Sequence, residues 1–172
     1  MNRVILPLLL LLAFISENVF VSVFPSKPFG TDYIVVPHFL IIILLFITVY
    51  YNPTYAIYYA LVFGFLFDIV YTELIGIYLF AYPILTFLVY NAMKVLQVNL
   101  IIVSTLILLT ITVLEYYVYG FLTLLKLTDM PADTFFSERL LPTLAANAIF
   151  LFLFCFPLKK QILRLKEARD EK

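Results

Sequence analysis

Three carboxylates interrupt the apolar stretches of this sequence: Glu17, Asp68 and Glu115. An ionisable group in hydrocarbon costs about 2.5 to 3.5 kcal/mol on insertion scales, so each should face protein, a cavity or the membrane surface. Asp68 falls within a turn of the end of its predicted helix, from where it can reach the headgroups. Glu17 lies about seven residues inside its span, on the order of 10 Å. Glu115 lies about ten residues in, roughly 15 Å deep. No Lys, Arg or His falls within the apolar core of a predicted span, so these acids lack an evident counterion and are expected to act as neutral hydrogen-bonding groups. Three readings of Glu115 stand. It can bond inside the bundle to Asn18 or Asn147, it can contact a partner, or it can take part in proton or ion movement, which usually needs a relay of ionisable groups. Thr105, Thr112, Glu115, Tyr119 and Thr123 recur at helical spacing, and that stripe is expected to face protein.

A second pattern is a ridge of small residues. Ala56, Ala60, Gly64 and Asp68 are each four apart, and in lipid such a ridge lets another backbone approach closely. Its partner is either a helix of the same chain or one from outside. Other chemistry is scarce. The one histidine, His38, follows Pro37 at a span entry and reads as an interface residue, and the one cysteine, Cys155, lacks companions for a disulfide or a metal site. The serines have no plausible histidine partner, the separated acids form no dyad, and four glycines make no phosphate loop. Catalytic residues, cofactors and metals are therefore not expected, and neither is an enzyme.

The elements that must carry these groups follow from composition. The chain has 172 residues, 65% hydrophobic and only 13% charged, with a mean hydropathy of +1.08. Soluble domains are about 25% charged, so a soluble globular fold is excluded. The net charge is zero, which removes the usual source of affinity for nucleic acid. About 20 apolar residues as helix cross a hydrocarbon core. Six stretches qualify, at about 4–24, 37–52, 54–70, 74–90, 100–125 and 140–158, separated by Pro25, Lys27, Pro28 and Gly30, by Asn52-Pro53, by Glu73, by the polar segment 91–99, and by 126–139. The first lacks a small-x-small site before Pro25 and is expected to be retained as a helix. Arg3, Lys94, Lys159, Lys160, Arg164, Lys166, Arg169 and Lys172 fall on one side of such a six-span layout, against Lys27, Lys126 and Arg139 on the other. The excess predicts both termini in the cytoplasm. The expected organisation is an all-α integral membrane domain over 1–158 and a charged cytoplasmic tail over 159–172, which could hold anionic lipid or a cytoplasmic partner or simply fix topology.

In order along the chain, Ser16-Glu17, Pro37-x-Phe39, Gly64-Phe65-x-Phe67-Asp68, Gly76-x-Tyr78, Glu115-x-Tyr117-Val118-x-Gly120, Arg139-x-x-Pro142-Thr143 and Asn147 resemble the bacterial rod shape-determining MreD family. The similarity spans nearly the whole chain. One departure is Ala60, where the family often has glycine; it keeps a small residue. The resemblance implies a multi-pass protein of the bacterial cytoplasmic membrane, within the machinery that builds the lateral cell wall. Its implied neighbours are the bitopic protein MreC, the MreB filament, and the RodA and transpeptidase pair. It also implies a six-helix fold like that of the S components of energy-coupling-factor transporters, without transferring their ligand. The expected function is a non-catalytic scaffold that maintains rod shape by binding an MreC-like partner laterally. Ala56, Ala60, Gly64 and Asp68 and the outer loop from Asp129 to Arg139 are its expected contacts, and Glu17, Asn18, Glu115 and Asn147 are its intramembrane polar groups. The competing expectation is a small-molecule-binding subunit of a transporter, in which Glu115 and Asn147 contact solute.

Overall fold

A computed structural model describes residues 4–23, 33–72 and 74–170. The Pro25 to Gly30 stop, the Glu73 turn, and Arg3, Lys27 and Lys172 of the charge count lie outside these residues. The described residues form six helices of twelve residues or more: α1 (Ile5–Val23), α2 (Phe39–Tyr50), α3 (Pro53–Phe67), α4 (Ile77–Ala92), α5 (Leu100–Leu124) and, after the single turn α6 (Ala132–Thr134), α7 (Leu141–Asp170). Each starts within a few residues of its predicted span, and all but α7, which runs on to Asp170, also end within a few residues of it. Two π-helical stretches, Asp68–Thr72 and Phe135–Leu140, follow α3 and lead into α7.

Among the described residues, four helical stretches are long and apolar enough to cross a membrane: Ile5–Val23, Pro53–Thr72, Leu100–Leu124 and Ala132–Asp170. The helices α2 and α4 are shorter, at 12 and 16 residues. Shortness in α2 is offset by its position, because ten of its twelve residues are buried and α1, α3, α4, α5 and α7 all pack against it. It is the core of the bundle. Its hydrophobicity on every side is what a helix surrounded by protein requires.

Local sequence sets the boundaries at one end. Asn52 accepts hydrogen bonds from the Thr54 and Tyr55 amides, at 2.9 and 3.3 Å, with Pro53 in the first turn of α3. Asn99 caps α5 through the Ile101 amide at 3.1 Å. Both are ordinary side-chain caps, satisfying amides that the first helical turn leaves unpaired. At the other end the α2 and α4 caps come from elsewhere in the chain, and there the buried carboxylates sit.

The 159–170 segment continues α7 without a break. Leu158, Ile162 and Leu165 on its inner face are buried in the common core, while Lys160 and Arg164 point outward.

Candidate functional site

The three carboxylates each clasp one helical hairpin. Glu17 projects from α1 to the start of α2, where its Oε1 accepts the Leu40 amide at 2.8 Å. Its other oxygen, Oε2, is buried without a hydrogen-bond partner among the described residues. Asp68, just past α3, accepts the Gly76 and Leu79 amides on Oδ2 at 2.7 and 3.0 Å and the Tyr78 amide on Oδ1 at 2.8 Å. A negative group at a helix N-terminus complements both the free amides and the helix dipole, so Asp68 fastens α4 to α3. Gly76, at φ 118°, supplies the left-handed backbone that turns the chain into this cap.

Glu115 does the same for α5 and α7 with the Arg139 guanidinium and the His38 imidazole. Arg139 Nε donates to Glu115 Oε2 at 2.8 Å, and His38 Nε2 lies 2.8 Å from Oε1. Glu115 is wholly buried, His38 is 2% exposed, and the Arg139 side chain is 22% exposed. The expectation of an acid without a counterion is thus overturned. The 127–140 segment folds back along α5: Tyr119 donates to the Met130 carbonyl at 2.8 Å, and its ring stacks on Phe135 at 4.1 Å. That path carries Arg139 down to the depth of Glu115. His38, read as an interface residue, is drawn inside for the same reason, since a buried carboxylate needs its lone pairs occupied.

Asn147 is not the partner of Glu115, and Asn18 is exposed. Asn147 works on the extended segment that precedes α2. Its Oδ1 accepts the His38 amide at 2.9 Å, while its Nδ2 donates to the Val36 carbonyl at 2.9 Å and to the Thr143 carbonyl at 2.8 Å. Thr143, one turn earlier on α7, accepts the Val36 amide at 3.1 Å, and the Ile34 amide pairs with the Glu138 carbonyl at 2.8 Å. Non-helical backbone inside a membrane protein must find partners in the protein, and α7 provides them. Holding the His38 amide also aims the imidazole at Glu115.

The remaining expectations divide. Asp68 does not reach outward: it is wholly buried, as are Ala56 and Ala60, with Gly64 beside them. The ridge they form is covered by α4 of the same chain, whose Tyr78 carbonyl oxygen would stand 2.5 Å from a Cβ at Gly64. Asp129 is exposed on the loop, and Arg139 turns inward. The threonine stripe does not face protein as a whole, since Thr105 and Thr123 are exposed. Thr105, Thr112 and Thr123 donate to carbonyls four residues back, at 2.8 to 3.0 Å, and a hydroxyl satisfied this way needs no neighbouring helix. The buried face of α5 runs instead through Val103, Ile107, Ile111, Leu114, Glu115 and Val118.

Loss of the Asp68 cap has a calculable consequence. Asp68→Ala strands three amides, and hydrogen bonds to charged groups are worth about 1.5 to 3 kcal/mol each, so a loss on the order of 3 kcal/mol or more is expected. Asp68→Asn keeps one acceptor oxygen and should lose roughly half as much. Thermal unfolding of the detergent-solubilised variants checks both, and equal stability of Asp68→Ala and wild type would dismiss the cap.

The rod shape-determining protein MreD family matches residues 2–164. The Rod shape-determining protein MreD of Bacillus subtilis (strain 168) is 34% identical over 173 residues, covering 99% of this chain and 100% of the relative. No solved structure matches the chain. A helical membrane protein in which carboxylates tie successive hairpins together, matched over nearly its full length on both comparisons, the chain belongs to the MreD family of rod shape-determining proteins.

Proposed function

We propose that the chain is a six-span scaffold of the bacterial cytoplasmic membrane, with both termini inside, that maintains rod shape by binding an MreC-like bitopic partner at its outer loop and lipid-facing helices. It has no chemistry of its own in this reading. The observation that carries the proposal is where the polar groups go: Asp68 is committed to amides, and Glu115 to a guanidinium and an imidazole, of the same chain. The interior is a fastened core, and recognition falls to the surface. Exposed there are Leu127, Asp129 and Phe136 on the loop segment and Phe152, Leu153 and Phe156 on α7. The RodA and transpeptidase pair and the MreB filament would be reached through the same complex.

The transporter-subunit reading requires solute at Glu115 and Asn147. Their side chains are already engaged by His38, Arg139 and the backbone at Val36, Thr143 and His38, which weighs against it. Depletion in a rod-shaped host tests the function: cells should round, and wild-type chain should restore rods while an Asp129→Arg, Phe136→Glu chain, inserted at equal level, should not. Rods that persist through depletion with a new nutrient requirement would overturn the scaffold reading.

A further inference from the structure

Two lysines far apart in sequence converge on one cavity where α2, α4 and α7 end. Lys94, just after α4, and Lys166, on the α7 extension, line a space of about 230 Å³ with Thr48, Tyr51, Tyr90 and Met93. No acidic residue is among its described lining residues, and neither lysine has a carboxylate partner among the described residues. The Lys94 ammonium is held in place: it donates to Asn91 Oδ1 at 3.0 Å and stands 4.3 Å from the centre of the Tyr90 ring. Arg169, 4.7 Å from the Tyr51 ring that borders the cavity, is already paired with Asp170 at 2.8 Å, so the charge that lacks a partner belongs to the two lysines. Two ammonium groups gathered without a counterion among the described residues repel, and an anion between them relieves that repulsion.

The surroundings say which anion. Beside Lys94 the connecting loop exposes apolar side chains, Val95 at 89%, Leu96 at 41% and Val98 at 60%. Such a loop is at home in the interfacial layer, with Tyr51 and Tyr90 at the depth where tyrosine rings favour the headgroups. That depth is where lipid phosphates lie. Val98 also lines the cavity, so its wall is continuous with the surface that meets acyl chains.

We propose that the cavity between Lys94 and Lys166 binds the phosphate headgroup of an anionic phospholipid. The amines supply charge and hydrogen-bond donors to the phosphate oxygens, the loop's apolar side chains meet the glycerol and upper acyl region, and the occupied site pins the α7 extension against the end of α4. The proposal rests on the reading that these helices span a membrane, which retention in carbonate-washed membranes tests separately.

The test is native mass spectrometry of the purified full chain, with phosphatidylglycerol and phosphatidylcholine in competition and inorganic phosphate as a third arm. Wild type should retain phosphatidylglycerol in preference. Lys94→Gln with Lys166→Gln should weaken that binding by roughly thirty-fold, and Lys160→Gln with Arg164→Gln, whose side chains lie on the outer face, should weaken it only several-fold. Equal retention of the two lipids by wild type would overturn the site even if a variant failed to fold. Equal losses from the two double variants would overturn it in favour of diffuse surface charge. Inorganic phosphate displacing phosphatidylglycerol at equal concentration would overturn the lipid assignment in favour of a soluble anion.

Discussion

Arg139→Met should destabilise the protein by about 3 kcal/mol, because it leaves the wholly buried Glu115 with one of its two partners gone. The lower part of the range for broken buried pairs is expected, since Arg139 keeps some contact with solvent and His38 still faces the other oxygen. Glu115→Leu should cost a comparable amount by stranding the guanidinium and the imidazole. Removing both charges together should cost clearly less than the two single losses added, as neither variant residue then leaves an ion behind. A double-mutant cycle on thermal unfolding in detergent reads this coupling directly. Strict additivity would mean that Glu115 and Arg139 do not pair.

Gly64→Leu should be the most damaging change on the small-residue ridge. A Cβ at Gly64 would lie 2.5 Å from the Tyr78 carbonyl oxygen and 2.9 Å from its carbon. Both atoms are backbone, so relief demands that α3 and α4 move apart. Overpacking a core costs about 1 to 3 kcal/mol, and here separation would also pull Asp68 from the Gly76, Tyr78 and Leu79 amides. Gly64→Ala should already lie in that range, and Gly64→Leu should fall beyond it, with loss of monodisperse folded protein. Gly120 is the control, because a Cβ there meets nothing within 4 Å, and Gly120→Ala should be neutral or gain up to about 1 kcal/mol from helix propensity. Wild-type yield and melting for Gly64→Leu would contradict the close approach of α3 and α4.

Much of the helical framework was legible because its signals are local. Apolar runs, Asn52-Pro53 and Asn99 mark boundaries that short-range capping chemistry then produces. What the sequence could not show was the pairing of distant polar groups. Arg139 sits in a hydrophilic stretch and reads as a surface residue; only the return of 127–140 along α5 places it at Glu115. Its nearness to a predicted span entry, with a side chain long enough to reach inward, was the available hint. His38 gave less, since nothing in Pro37-His38-Phe39 marks an imidazole held by an asparagine on α7. The ridge on α3 was readable as a contact face, although period and residue size do not say whose helix fills it. Asp68 ending that ridge carries the same ambiguity, because a cap reached across eight to eleven residues leaves no periodic trace.

In the proposed function Asp68, Glu115, Asn147 and the small-residue ridge are used up within the chain, so that partners meet the loop and the lipid-facing surface. Photo-crosslinking in living cells tests this most directly, with p-benzoylphenylalanine in place of exposed Phe136 or of wholly buried Tyr82 on α4. The account predicts an adduct between position 136 and a single-span membrane protein, and only adducts within the chain from position 82. Partner adducts from position 82, with none from 136, would contradict it.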